Sequence, residues 1–313
     1  MAKSRWNYAN IILDGFSLVG AGNYFNLKVF YQAKLITSKI LEFFISAFLS
    51  YIELRFKEIS MAKKVCLVLG AGAGIGGTVA KKLAKEGYYA CLCRRSDQEG
   101  LNSLVDEIKQ NDGDASGFML DATEEGSLEN LILEIEKDIG EIDVLVYNLG
   151  AQSGMKLLNE TSLKEFEWGW QMGSFGLFRV AKVLMPIMAK RGSGTFLVTS
   201  ATAAMRGSKN QHSHATAMGG RRMLCQTLNA EFASQGIHVA HVIVDGMVDA
   251  PDTLGKMLGK KLFQDLRDSK GKEDGLILPT EVAEAYYFLS QQHRSSWTHE
   301  IDIRSYSDNA WWN

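Results

Sequence analysis

The stretch Leu69-Gly70-Ala71-Gly72-Ala73-Gly74-Ile75-Gly76 restricts what this chain can fold into more than any other. It follows the short apolar run Val65 to Leu69 and opens a segment in which Ile75, Val79 and Leu83 recur every fourth residue, the period that lines one face of a helix. A strand that runs into a glycine-rich turn and then into a helix is the first half of a βαβ unit. Glycines let the backbone turn sharply and approach a ligand closely. The helix that starts there offers unpaired N–H groups and a partial positive charge, which suit a pyrophosphate. A bare strand-to-helix turn is the alternative, and the motif's place in a βαβ unit favours nucleotide binding over it.

The same alternation continues. Short apolar runs recur at Tyr89 to Cys93, Gly117 to Leu120, Val144 to Tyr147, Thr195 to Thr199, Val239 to Val244 and Ile301 to Ile303, with amphipathic stretches such as Leu128, Leu131, Ile132 and Ile135 between them. Strands separated by helices run parallel, because a crossover that holds a helix returns the chain in the same direction. The expected fold is therefore α/β, a Rossmann-like doubly wound sheet of seven parallel strands with helices on both faces. No repeat or low-complexity tract interrupts the order, and the three prolines, Pro186, Pro251 and Pro279, mark no linker. Residues 61–313 are read as one dinucleotide-binding domain.

Residues 1–60 differ, being rich in Phe, Ile, Leu, Tyr and Asn and ending just before Met61-Ala62-Lys63-Lys64, which itself looks like a protein start. Their most apolar part, Leu35 to Phe56, reads as a helix long enough to cross a bilayer, but it carries Lys39, Glu42 and Glu53, each costly in hydrocarbon. Lys3 and Arg5, with no acid among the first thirteen residues, have the charge sense of a mitochondrial presequence, although Arg and Ser are sparse. Three readings stay open for this extension: a membrane or partner anchor, a targeting segment, or upstream sequence joined to the gene in error.

With 34 basic and 36 acidic residues and a net charge of −2, the chain lacks the field that draws nucleic acid or an anionic membrane, so no nucleic-acid partner is expected and membrane contact only through residues 1–60. The four cysteines, Cys66, Cys91, Cys93 and Cys225, form no CxxC pair, and most sit in runs that read as buried strands. Core thiols in a reducing intracellular compartment are expected, cytoplasmic or, with a presequence, mitochondrial, and no metal site.

The spacing Gly70-xxx-Gly74-Ile75-Gly76 resembles the TGxxxGIG pattern of the short-chain dehydrogenase/reductase family, with Leu69 where threonine is usual. Asp121 matches the acid that family members place near the adenine, and Tyr147-Asn148-Leu149-Gly150 is similar to their NNAG, Asn148 and Gly150 being the matching positions. Gly236-Ile237-His238-Val239 and Trp297 to Arg304 look like the sixth and final strands of one bacterial-type branch. The resemblance covers nearly all of residues 61–313. It implies a nicotinamide dinucleotide held by Gly70, Gly72, Gly74, Ile75, Gly76, Asp121, Asn148 and Gly150. After the second strand, Arg94 and Arg95 stand where an acid would bind the ribose 2′-hydroxyl of NAD; guanidinium groups suit the 2′-phosphate of NADP. NADP is expected over NAD, a merely solvated strand end being the alternative.

At the reaction centre this sequence departs from the family. Members use a Tyr-xxx-Lys pair, a serine after the fifth strand and an asparagine on the preceding helix; the tyrosine exchanges the proton, the lysine tunes it and holds the ribose, and the serine bonds the developing oxyanion. Here His214 falls at the tyrosine position, Met218 at the lysine position, Ala201 at the serine position beside Ser200, and Gly173 at the asparagine position. One positioned acid–base group is worth about a hundred- to ten-thousand-fold in rate, so this resemblance implies a pseudoenzyme, a binding or structural subunit that keeps NADP affinity. The competing reading is an NADP-dependent oxidoreductase of a carbonyl or alcohol substrate, with His214 as substitute acid–base and Ser200 shifted into the serine role. Arg221, Arg222 and Cys225 read as helix packing and surface residues, and Trp168 and Trp170 as walls of the cleft or packing of the long helix. The family commonly assembles through two long helices, here near residues 175–190 and 211–234, which implies a homo-oligomer or a subunit of a complex.

Overall fold

The computed structural model describes residues 39–51, 64–150 and 155–310. The chain divides into two compact units, Met1–Ser60 and Met61–Asn313. In the first, residues 39–51 are helical; the rest of the expected Leu35 to Phe56 helix, and Lys3 and Arg5, lie outside the described residues.

The second unit is built on seven parallel strands, β1 Val65–Leu69, β2 Tyr89–Arg94, β3 Asp114–Met119, β4 Ile142–Tyr147, β5 Gly194–Ala201, β6 Ile237–Asp245 and β7 Glu300–Arg304, in the order β3-β2-β1-β4-β5-β6-β7. The fold expected from the sequence is the one observed. All five residues of β1 are buried, as a strand with neighbours on both sides and helices on both faces requires. The edge strand β3 starts at Asp114 instead of Gly117: its burial alternates, its polar residues Asp114 and Ser116 break the apolar run, and Ser116 Oγ instead hydrogen-bonds Tyr89 Oη at 2.7 Å.

One face of the sheet is covered by α1 Ile75–Lys85, α2 Gln98–Gln110 and, across β5 and β6, α8 Pro279–Ser290. The other carries α3 Ser127–Asp138, α5 Gly176–Arg191 and α6 His212–Phe232. Alternate strand residues feed the two layers: Val65, Leu67 and Leu69 of β1 point to α3 and α5, Cys66 and Val68 to α1. Each such Val or Leu contributes roughly 1.5–3 kcal/mol of hydrophobic stabilisation. A short helix α4, Leu163–Trp170, runs through a π-turn at Gln171–Phe175 into α5. The helix α7, Lys260–Ser269, belongs to the excursion between β6 and α8.

β1 and β4 stay paired to their last residues, Leu69 and Tyr147, but the chain leaves β1 toward α1 on one face and leaves β4 toward α5 on the other, so a crevice opens above their carboxyl ends.

Candidate functional site

The glycine turn sits at that crevice. Gly70 has φ +90°, and a Cβ there would come within 2.7 Å of Asn148 O. Gly76 is required by contact, since its Cβ would lie 2.2 Å from Gly70 O. Asn148 completes the turn by donating from Nδ2 to Gly70 O at 2.9 Å, while its own N–H bonds Leu69 O at 2.9 Å. No side chain caps the first turn of α1; Gly77 N is taken by Gly72 O at 2.8 Å and Thr78 N by Gly74 O at 3.2 Å, which leaves the amides of Ile75 and Gly76 without a partner among the described residues. A Cβ on Gly72 would meet nothing within 4 Å, so the turn leaves open space above it.

That space is a cleft of about 600 Å³. Gly70, Gly72, Gly74, Ile75 and Gly76 form its floor, Arg94 and Arg95 one end, and Asn148, Leu149 and Gly150 a wall. The residues present fit a dinucleotide: the amides of Ile75 and Gly76 at a helix start for the pyrophosphate, and cations at the end of β2 and just after it. Trp168 and Met172 also line it, as do Thr253 and Lys256 from the segment after β6. Trp168 thus walls the cleft, whereas Trp170 stacks on Phe175 with ring centres 4.8 Å apart. Thr253 and Lys256 escaped the sequence pattern; the hint was Gly246 at the end of β6, which leads the chain back over the glycine turn until Ala250 approaches within 3.1 Å of where a Gly74 Cβ would stand.

The two arginines differ in state. Arg94 pairs with Asp97 at 3.0 Å, and Asp97 in turn caps α2 through Gly100 N at 3.0 Å. Arg95 lies with its guanidinium 5.7 Å from the Trp168 ring centre. Asp121 does not line the cleft; it sits behind this end, where its carboxylate accepts from Thr123 N at 2.9 Å and Thr123 Oγ1 at 2.7 Å. Burial opposes its ionisation, but those hydrogen bonds and the charge of Arg95 hold its carboxyl below the usual range. Arg179 of α5 fixes the loop that follows, bonding Ala122 O at 2.7 Å, Glu124 O at 2.8 Å and both carboxylate oxygens of Glu129.

Neither Ser200 nor His214 lines the cleft. Ser200, only 5% exposed, donates its hydroxyl to the sulfur of Met218 at 3.8 Å. His214 stands in the first turn of α6 with its Nδ1 buried and without a hydrogen-bond partner among the described residues. Burial, and then the charge of Arg221, lower its pKa to about 4, so the ring is neutral near pH 7.

Arg221 is not a surface residue but 2% exposed, the largest fully buried side chain among the described residues. Its Nε bonds Gly173 O at 3.0 Å, Nη2 bonds Leu149 O at 2.9 Å and Met172 O at 3.5 Å, and Nη1 bonds Thr199 O. Tyr147 lies beneath, its ring 5.0 Å from the guanidinium and its hydroxyl on Met172 O at 2.6 Å. The π-turn is held by these bonds, and Gly176 must lack a side chain because a Cβ would come 2.5 Å from that hydroxyl. Arg222, one residue on, points away to Glu300 at 2.7 Å. All four cysteines are buried and free, and burial pushes the Cys225 thiol up to about 12, which removes it as a nucleophile.

The family model for short chain dehydrogenases matches residues 64–257. The chain belongs to the short-chain dehydrogenase family. Among its relatives, a 3-oxoacyl-[acyl-carrier-protein] reductase of Thermotoga maritima is 27% identical over 243 residues, 76% of this chain and 94% of that one. A short-chain dehydrogenase from Rhodopseudomonas palustris has a similar structure, with TM-score 0.64 and 30% identity over 78% of this chain and 99% of that one. An alcohol dehydrogenase from the archaeon Thermococcus sibiricus, complexed with 5-hydroxy-NADP, aligns with TM-score 0.68 and 26% identity over 79% of this chain and 99% of its own. The NAD(P)-binding fold of this short-chain dehydrogenase is thus shared along almost the full length of those proteins.

Proposed function

We propose that this short-chain dehydrogenase binds NADP(H) and has lost the family's ordinary acid–base chemistry, serving as a binding, regulatory or structural subunit. The observation that carries the reading is Met218: a thioether stands at the lysine position of the resemblance and closes onto Ser200, while Ala201 and Gly173 hold no group for proton transfer or oxyanion binding. Bound NADP(H) would bring hydride chemistry, but a proton must still be exchanged with substrate oxygen, and a missing donor is worth about a hundred- to ten-thousand-fold. Preference for NADP is supported by Arg94 and Arg95 at the cleft and by the Thermococcus sibiricus relative, solved with an NADP derivative.

The second reading keeps activity through His214, favoured by its unpartnered Nδ1. A neutral imidazole can donate a hydrogen bond to a carbonyl oxygen, as a weak acid. Titration of the full chain with NADPH, followed by Trp fluorescence, and turnover on a carbonyl panel beside His214→Ala separate the two. Saturable binding without turnover supports the subunit; turnover that vanishes in the variant supports the enzyme.

A further inference from the structure

Arg221 places a permanent charge one helical turn beyond Met218, the position where the resemblance leads one to look for a lysine. A guanidinium stays protonated even though burial lowers its pKa. Each of its hydrogen bonds ends on a backbone carbonyl, and among the described residues no carboxylate forms an ion pair with it, in contrast to Arg179 on Glu129. Carbonyl dipoles solvate a cation without cancelling its charge. Two of these carbonyls belong to Leu149 and Met172, which line the cleft, so the charge lies directly behind that wall. The carboxylates that line the cleft are themselves paired, Asp97 with Arg94 at 3.0 Å and Asp252 with Lys256 at 3.6 Å.

We propose that Arg221 makes the cleft select the oxidation state of its cofactor, holding the neutral dihydronicotinamide of NADPH in preference to the cationic nicotinamide of NADP+. This rests on the cofactor reading above. Arg221 is a positioning residue: it acts through its field and through the carbonyls it fixes. At an effective dielectric near 20, a unit charge within about 10 Å of a nicotinamide held against the Leu149–Met172 wall would change binding by about tenfold.

The test measures dissociation constants of the full chain for NADPH, NADP+ and 2′-phospho-ADP-ribose, which has no nicotinamide. NADPH is expected to bind about tenfold or more tightly than NADP+. Arg221→Gln, which keeps two N–H donors for the carbonyls and removes the charge, is expected to bring the ratio to about threefold or less, leave the fragment's affinity unchanged and retain a cooperative melt. Arg221→Lys is expected to keep the ratio. Equal affinities in the wild-type chain overturn the proposal without recourse to any variant, and so does a ratio that persists in folded Arg221→Gln. Fragment binding alongside equal affinities would leave the cofactor reading standing; failure of all three ligands to bind would end both.

Discussion

The hydroxyl of Ser200 donates to the sulfur of Met218 across 3.8 Å, so two residues at the heart of the expected reaction centre are spent on each other. Both are buried, at 5% and 3% exposure, and the buried guanidinium of Arg221 lies three residues further along the same helix. Met218→Lys therefore does not simply reinstate a family lysine: it adds a cation to a pocket that already holds one without a carboxylate partner. A stability loss of about 2–4 kcal/mol is expected, with no turnover gained. Urea unfolding reads this directly, and an unchanged midpoint would sink the argument.

Two histidines contribute to the acid side of the stability profile. His214 has its pKa lowered to about 4 by burial and by Arg221, and His241, fully buried on β6, is lowered to about 4 by burial despite its 3.0 Å contact with Glu300. Above the unfolded value near 6.5 both rings are neutral in either state, and their full contribution is present. As pH falls from there toward 4 the unfolded chain takes up protons that the folded chain refuses, so stability falls; below 4 this loss stops growing. By pH 5 each ring costs about 2 kcal/mol. His214→Phe should flatten the drop between pH 7 and pH 5 by about that amount; identical drops would show that the ring is hydrated.

The central strands and the glycine turn were legible because their physics is local: β1 is apolar throughout and wholly buried, and the glycine pattern follows it directly. β3 was less so, because an edge strand needs only one apolar face and its polar half broke the run. Arg221 was invisible for a different reason. Arg221 and Arg222 are adjacent and chemically identical, and only the turn of about 100° between them sends one into the core and the other to Glu300. Asp121 and His214 were picked out by family position, yet packing sets both outside the cleft lining, while Thr253 and Lys256 enter it through a loop that no periodicity marks.

Arg95 should decide between the two dinucleotides. Arg94 is engaged by Asp97, whereas Arg95 rests against Trp168 at the cleft's end. Removing a charged hydrogen-bond donor to a phosphate costs roughly 1.5–3 kcal/mol, about ten- to a hundredfold. Arg95→Ser is expected to weaken NADPH by that factor and NADH by less than about threefold. Calorimetric titration of both nucleotides checks it, and equal losses would assign Arg95 a role in shaping Trp168 and not in reading the phosphate.

Arg179 ties α5 to the loop that follows β3. It reaches from α5 to the loop after β3, where it satisfies the carbonyls of Ala122 and Glu124 and grips Glu129 through two bonds at 2.8 and 2.6 Å. Arg179→Met strands two carbonyls and a half-buried carboxylate, which costs about 3 kcal/mol. Hydrogen bonding to Arg179 is also the first cause of the lowered pKa of Glu129. A depressed carboxylate contributes stability that is present above its unfolded pKa near 4.3 and is lost as pH falls through the folded value. The gap between wild type and Arg179→Met is therefore expected to be full at pH 7 and to narrow below pH 4, in guanidinium unfolding at both pH values. A gap that stays constant would mean that Arg179 acts through the two carbonyls alone.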